Sequence, residues 1–249
     1  MTDDELPTRR WSATDGVDRV LVVTAHPDDV DFGSAGTVAT FRAAGIEVAY
    51  CIVTDGDAGG SDRSITRAEM AEIRQREQRA AAAEVGVHDV TFLGYPDGRL
   101  ECTLDLRRDI SRVIRQYRPQ RVLTQSPERN WERIYASHPD HLAAGEAAAC
   151  AVYPDARNPF AHPELLEKEG LEPHTVDEIW LMAFENPNIV VDITDAFDTK
   201  VAALMRHQSQ VAERDDLDKM LREWSSAVAR SAGLPDGALG EAYRVVQSR

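Results

Sequence analysis

No stretch of this sequence approaches the ~20 consecutive apolar residues that cross a bilayer, so a membrane-spanning helix is not expected. Basic residues are scarce: 28 Lys and Arg face 43 Asp and Glu, a formal charge of −15. Phosphate backbones and anionic membrane surfaces both need a basic footprint, so neither nucleic acid nor a membrane is expected as a partner. Cysteine is rare. Cys51, Cys102 and Cys150 are odd in number and lack a CxxC spacing. They leave no disulfide framework and no thiolate zinc site, and they suit a reducing cytoplasm. The opening MTDDELPTRRW carries no apolar h-region, and no signal peptide is expected. GxGxxG, GxxxxGK[ST] and GxSxG are all missing, so neither a nucleotide cofactor nor a serine hydrolase is implied. What is present, 249 residues of which 43% are hydrophobic and 29% charged, suits a soluble globular chain with a sizeable core.

Hydrophobic patterning alternates strand and helix. Arg19–Ala25 and Val48–Thr54 are continuous apolar runs rich in β-branched residues, the mark of strands buried on both faces. Val90–Leu93 and Arg121–Gln125 continue the series. Helical patterns lie between them over Gly33–Ala44, Ser64–Val85 and Leu104–Tyr117, with Gly45 and Gly86 as caps and Pro119 as a stop. This order predicts a Rossmann-like three-layer α/β/α sandwich around a mostly parallel sheet. An Ala-rich helix is expected from Pro139 to about Val152. Tyr153–Asp177 carries four prolines and reads as a functional loop or lid. Strands follow at Ile179–Phe184 and Ile189–Ile193, then a helix over Thr194–Gln210 and a polar helical tail. With no repeat or linker, the expectation is one domain over residues 1–249, its core at about 19–210.

Two motifs carry chemistry. Ala25-His26-Pro27-Asp28-Asp29 follows the first of these strands, and Ser137-His138-Pro139-Asp140-His141 opens a helix after the Arg121–Gln125 strand. In doubly wound sheets ligands bind beyond the carboxyl ends of the strands, which is where both motifs fall. His26, Asp29 and His141 together offer two imidazoles and one carboxylate, a hydrolytic metal set that leaves a position open for water. Zn²⁺ is expected, although the same donors suit Fe²⁺. Asp28, beside Asp29 but projecting differently, can take the proton of the attacking water. His138 can donate to a developing oxyanion or to the leaving amine, as an imidazolium.

AHPDD after the first strand of the sandwich and HPDH at a later helix start resemble the PIG-L (LmbE-like) de-N-acetylases, over about Val20–Gln210. The resemblance implies a metal-dependent amidase that removes an acetyl or related acyl group from an amino sugar. It implies His26, Asp29 and His141 as metal ligands, Asp28 as general base and His138 near the oxyanion. Arg74-Gln-Arg-Glu77 resembles the family's RxxE helix, and Leu93-Gly-Tyr-Pro-Asp97-Gly98 the loop after the third strand, which makes Arg74 and Asp97 the sugar-binding residues. Thr54–Gly60 resembles a Gly-rich family loop, and His207 a helical histidine of the family.

Two departures stand out. Val30 and Asp31 follow the Asp pair where family members commonly have Glu. Tyr135 is one residue too far from His138 to match a mobile family tyrosine. Arg129, Asn130 and Trp131 read as a surface loop, with stacking on a sugar ring as the alternative, and His88, His162 and His174 read as solvent-facing. The expected substrate is a small N-acyl amino sugar, with a homo-oligomer left open. An amidase for a larger acyl group and a catalytically silent sugar-binding relative remain the alternatives.

Overall fold

Residues 8–13, 16–132, 134, 137–182 and 185–249 are described by a computed structural model. The chain runs through β1 (Arg9–Arg10), β2 (Arg19–Thr24), α1 (Asp29–Gly33), α2 (Ala35–Ala43), β3 (Glu47–Thr54), α3 (Arg67–Glu84), β4 (Asp89–Tyr95), α4 (Leu104–Tyr117) and β5 (Arg121–Gln125). It continues through α5 (Pro139–Cys150), α6 (Pro163–Glu167), β6 (Glu178–Met182), β7 (Ile189–Asp192), α7 (Phe197–Leu204), α8 (Gln208–Val211), α9 (Leu217–Ser231) and β8 (Gly240–Gln247). Among the described residues, no helix is long and apolar enough to cross a membrane.

The strands form one sheet in the order β1-β7-β8-β6-β5-β2-β3-β4. β8 pairs antiparallel with β6 and with β7, and the remaining pairings are parallel. Both faces are covered, which explains the unbroken apolar strands. Val20 and Val22 of β2 join one core with Val48, Tyr50 and Ile52, while Leu21 and Val23 join the other with Ala49, Cys51 and Val53. Alternate side chains of one strand thus feed two layers, and the expected sandwich is the one observed. From β2 the chain winds outward to β3 and β4, then returns to β5 on the other side of β2. That reversal opens a crevice beyond the carboxyl ends of β2 and β5, into which both motifs lead. The side-chain amide of Gln125 closes its floor by accepting the Ala25 N–H at 2.9 Å.

Several expectations need correction. The polar tail is helical only over α9. β8 follows and enters the sheet between β6 and β7, with Glu241, Tyr243 and Val245 buried. Glu241 caps the start of α2, accepting from Gly36 N at 3.3 Å and Thr37 N at 2.7 Å, and pairs with buried Lys200 at 2.6 Å. The helix expected over Thr194–Gln210 is a 3₁₀ turn followed by α7 and α8, interrupted at Met205–His207. Tyr153–Asp177 is pinned rather than lid-like: buried Arg115 of α4 donates to the carbonyls of Asp155, Ala156, Asn158 and Ala161 at 2.9–3.1 Å. The β6 expectation extends to Phe184, and Ala183 and Phe184 lie outside the described residues.

α5 carries the second motif and lies hard against the end of β5. A Cβ on Gly145 would stand 2.3 Å from the Gln125 carbonyl oxygen and 3.0 Å from Pro127 N. Both obstacles are backbone and cannot swing aside. Gly145→Ala, ordinarily a favourable helix change, should therefore destabilise the protein by about 3 kcal/mol, roughly 6–12 °C in Tm. A thermal melt checks this, and an unchanged or higher Tm would contradict the packing.

Candidate active site

The site forms where the β2 and β5 loops meet. His26 is the first residue past Ala25, and its backbone N–H donates to Asp29 Oδ2 at 2.6 Å. The Asp29 carboxylate lies between two rings, with Oδ2 3.3 Å from His26 Nδ1 and Oδ1 3.0 Å from His141 Nε2. Donors held ~2.0–2.1 Å from a tetrahedral zinc are themselves separated by roughly 3.3 Å, so these spacings fit one ion. The rings of His26, His138 and His141 present nitrogens within 4.8 Å of one another. His138 stands nearly edge-on to His26, at 82°.

His138 is also the N-cap of α5. Its Nδ1 accepts the Asp140 N–H at 3.1 Å, which leaves a neutral ring with its proton on Nε2. Burial, together with the neighbouring His26 and His141, lowers its pKa. The sequence reading required an imidazolium here. The structure favours the neutral ring, which still donates through Nε2–H.

On its far edge His26 meets more carboxylates: Nε2 lies 3.1 Å from Asp140 Oδ2 and 3.3 Å from Asp97 Oδ1. His26, Asp97 and Asp140 could themselves be taken for a metal triad. Their oxygens are already engaged, however. Asp140 accepts from Gly98 N at 2.7 Å and Leu100 N at 3.1 Å, and Asp97 from Ala58 N at 3.3 Å. This group is a cradle for the His26 Nε2–H, which leaves Nδ1 to face Asp29 and His141. Carboxylates behind a metal-ligating histidine fix its tautomer in this way. Burial alone would lower the His26 pKa, but Asp29, Asp140 and Asp97 push it up to about 12. Asp29 itself is held well below the usual carboxylate range, because His141 and His26 overcome the effect of burial. The arrangement calls for a cation, and these residues fit a divalent metal.

Asp28 is directed away from Asp29 by its backbone, which is left-handed at φ 89° and ψ −24°. Burial pushes its carboxyl up to about 6, against the opposing guanidinium of Arg74. Arg74, on the buried face of α3, is only 4% exposed. It donates to the carbonyls of Pro27 and Gly56 and lies 3.2 Å from Asp28 Oδ2 and 3.5 Å from Asp97 Oδ2. The Gly-rich loop accommodates this side chain, since a Cβ on Gly56 or Gly59 would stand 2.7 or 2.5 Å from Arg74 Nη1.

All seven residues singled out from the sequence, His26, Asp28, Asp29, Arg74, Asp97, His138 and His141, are thus brought together. Trp131, 78% exposed with the Arg129 guanidinium 5.6 Å from its ring centroid, lies on the segment leading to Ser137. Tyr135 lies outside the described residues. His162 and His174 are partly buried and bonded to Asp155 at 3.3 Å and to the Pro119 carbonyl at 2.7 Å, and only His88 is exposed as expected. Sequence reasoning missed Asp140, although it stands inside HPDH. It also missed Gln78, whose signal was the stripe Met70, Arg74, Gln78, Ala81 and Ala82 on the buried face of α3.

The sequence profile of the PIG-L family, described as GlcNAc-PI de-N-acetylase, matches residues 21–152, more than half the chain. The protein belongs to the PIG-L family. A PIG-L relative, the diacetylchitobiose deacetylase of Thermococcus kodakarensis, is 35% identical over 201 residues, 79% of this chain and 72% of that enzyme. The probable N-acetyl-α-D-glucosaminyl L-malate deacetylase 2 of Bacillus cereus is 31% identical over 198 residues, 77% of this chain and 83% of its own. Among solved structures, the N,N′-diacetylchitobiose deacetylase of Pyrococcus horikoshii superposes with a TM-score of 0.84 at 30% identity. The match covers 93% of this chain and 84% of that one. The family, the fold class and the deacetylase class implied by the two motifs are borne out.

Because His26 holds a proton at neutral pH when no metal is bound, metal uptake must displace it. Zinc binding near pH 7 should release about one proton, and affinity should rise about tenfold per pH unit between about pH 6 and 8. Calorimetry in buffers of different ionisation enthalpy measures the release. Replacing His26, Asp29 and His141 together with Ala should abolish stoichiometric binding, and its survival would remove them as ligands.

Proposed function

We propose that this protein is a zinc-dependent N-deacetylase of small amino sugars, with diacetylchitobiose-like compounds as the first substrates to try. The carrying observation is Asp29, one carboxylate shared between His26 and His141, with Asp28 turned away from it beside Arg74. His26, Asp29 and His141 would hold the ion, with Fe²⁺ as the alternative this donor set accepts. When bound, the ion acts as a Lewis acid on the amide carbonyl and lowers the pKa of water to ~7.

The protein's own groups account for the proton transfers. Asp28, half-buried and raised towards neutrality, accepts the proton of the attacking water. An amide nitrogen leaves readily only as an amine, so that proton is returned to nitrogen as the C–N bond breaks. His138 donates its Nε2–H to the developing oxyanion. Arg74 and Asp97, 3.5 Å apart, can exchange their mutual contact for vicinal sugar hydroxyls. The products are a free amino sugar and acetate.

The same proposal takes the chain as one domain working in the cytoplasm. It is supported by two cores on a single sheet and by three unpaired cysteines. The charge of −15 speaks against nucleic-acid or membrane partners.

Asp28→Asn keeps the shape of the side chain and removes the base. It should retain about one zinc per chain while free-amine release from N,N′-diacetylchitobiose falls by about 10²–10⁴. A near-wild-type rate at full zinc would remove Asp28 from the mechanism, and loss of zinc would exchange the roles of the two aspartates. Asp97→Ala and Arg74→Ala should lower kcat/KM without stripping the metal. Unchanged kcat/KM would end their assignment to the sugar.

A further inference from the structure

Asp28 adopts a left-handed backbone conformation at φ 89°, a region that residues other than glycine seldom occupy and that surrounding contacts must enforce. On its carbonyl side, Asp28 O accepts from Asp31 N at 2.9 Å and Phe32 N at 3.0 Å, which any helix start would supply. On its amide side the partner is specific. The Asp28 N–H donates to the side-chain oxygen of Gln78 at 2.8 Å, across a sequence gap of 50 residues.

The Gln78 amide has a fixed direction. Its Nε2 donates to Asp31 Oδ2 at 2.9 Å, so Oε1 is the atom left for Asp28. A flipped amide would set NH₂ against N–H at one end and a carbonyl against a carboxylate at the other. The Asp31 carboxylate is fixed in turn by His207, whose Nε2 stands 2.8 Å from the same Oδ2, and both side chains are fully buried. His207 occupies the break between α7 and α8. The following turn is anchored on α3, where Ser209 N and Oγ donate to the Glu77 carboxylate at 2.8 and 2.6 Å. The neighbour of Gln78 therefore holds the neighbours of His207. The result is one directional chain, His207 to Asp31 to Gln78 to the Asp28 amide, in which each link fixes the next. None of its first three members touches the reacting atoms.

We propose that Gln78, Asp31 and His207 are positioning residues for Asp28. Through the Asp28 amide they hold its backbone left-handed, and so aim its carboxylate at the water rather than at the metal position filled by Asp29. The inference rests on the assignment of Asp28 as the base. It accounts for a buried His–Asp pair that the chemistry does not otherwise use. Misplacing a reacting group by about 1 Å can lower turnover on the order of 10²-fold, so a lost link should act on kcat.

The test uses the full-length, zinc-loaded protein and two readouts. Gln78→Met keeps the length and packing of the side chain but removes both ends of the amide. In its crystal structure, Asp28 should leave the left-handed region. In solution, kcat on N,N′-diacetylchitobiose should fall 10–100-fold, with KM within about twofold and zinc per chain unchanged. His207→Leu should behave in the same way. His207→Gln, which keeps a donor towards Asp31, should recover most of the loss, a rescue that a purely packing role would not produce. If Gln78→Met does not fold, the His207 pair decides by the same measures. The proposal is overturned if Asp28 keeps its φ and carboxylate position in the variant, or if kcat stays within twofold of wild type at full zinc. Should the wild type deacetylate no amino sugar, the functional reading fails, and the backbone at Asp28 still decides this one.

Discussion

Four carboxylates, those of Asp28, Asp29, Asp97 and Asp140, converge on one buried site, and the positive charge that must balance them organises everything around it. Carboxylates removed from water are tolerated only when paired and hydrogen-bonded. Arg74 balances one side, reaching both Asp28 and Asp97 from α3. His26 balances the other, with Asp29 at one ring nitrogen and Asp97 and Asp140 at the second. Backbone amides of the loop after β4 take up the remaining lone pairs of Asp140. A dication at the open edge of Asp29, between His26 and His141, would complete that balance in place of a proton on His26.

That balance explains why the two aspartates of one dipeptide have different surroundings. Asp29 has an imidazole at each oxygen and ionises easily. Asp28 has Arg74 on one side and the negative charge of Asp29 on the other, and burial outweighs the guanidinium. The division follows from the backbone: the left-handed turn at Asp28 sends neighbouring side chains into different environments. Two carboxylates pushed in opposite directions within one site are what acid–base chemistry at neutral pH requires.

Much of this was legible in the sequence because it rests on local pattern. Strands buried on both faces write continuous apolar runs, so β2, β3 and β5 were found within a residue or so. Histidine and aspartate at fixed spacings marked both motifs. What stayed hidden depends on contacts across the fold. Gln78 looks like any polar residue on a charged helix, and only the Asp28 amide 50 residues away gives it a task. His207 sat inside a helical pattern that its own pairing with Asp31 interrupts. Asp140 was in view, but nothing local showed that it faces the ring of His26. Tyr153–Asp177 resembled a lid because its anchor, Arg115, lies on another helix. Glu241, Tyr243 and Val245 alternate with the period of a strand, but the run is short and follows the strongly amphipathic α9, so it does not stand out from a polar helical tail.

The placement of β8 has a consequence for how the protein is made. Among the described strands it comes last in the chain, yet it sits between β6 and β7 and joins β1 and β7 to the rest of the sheet. Without β8, no described strand would join β7 to the sheet, and one edge of β6 would be left unpaired. Strands left open in this way are where nascent chains aggregate or recruit chaperones. The start of α2, next to the motif that carries His26 and Asp29, likewise waits for its Glu241 cap. The half of the molecule that holds the active site is translated early and is locked in place late.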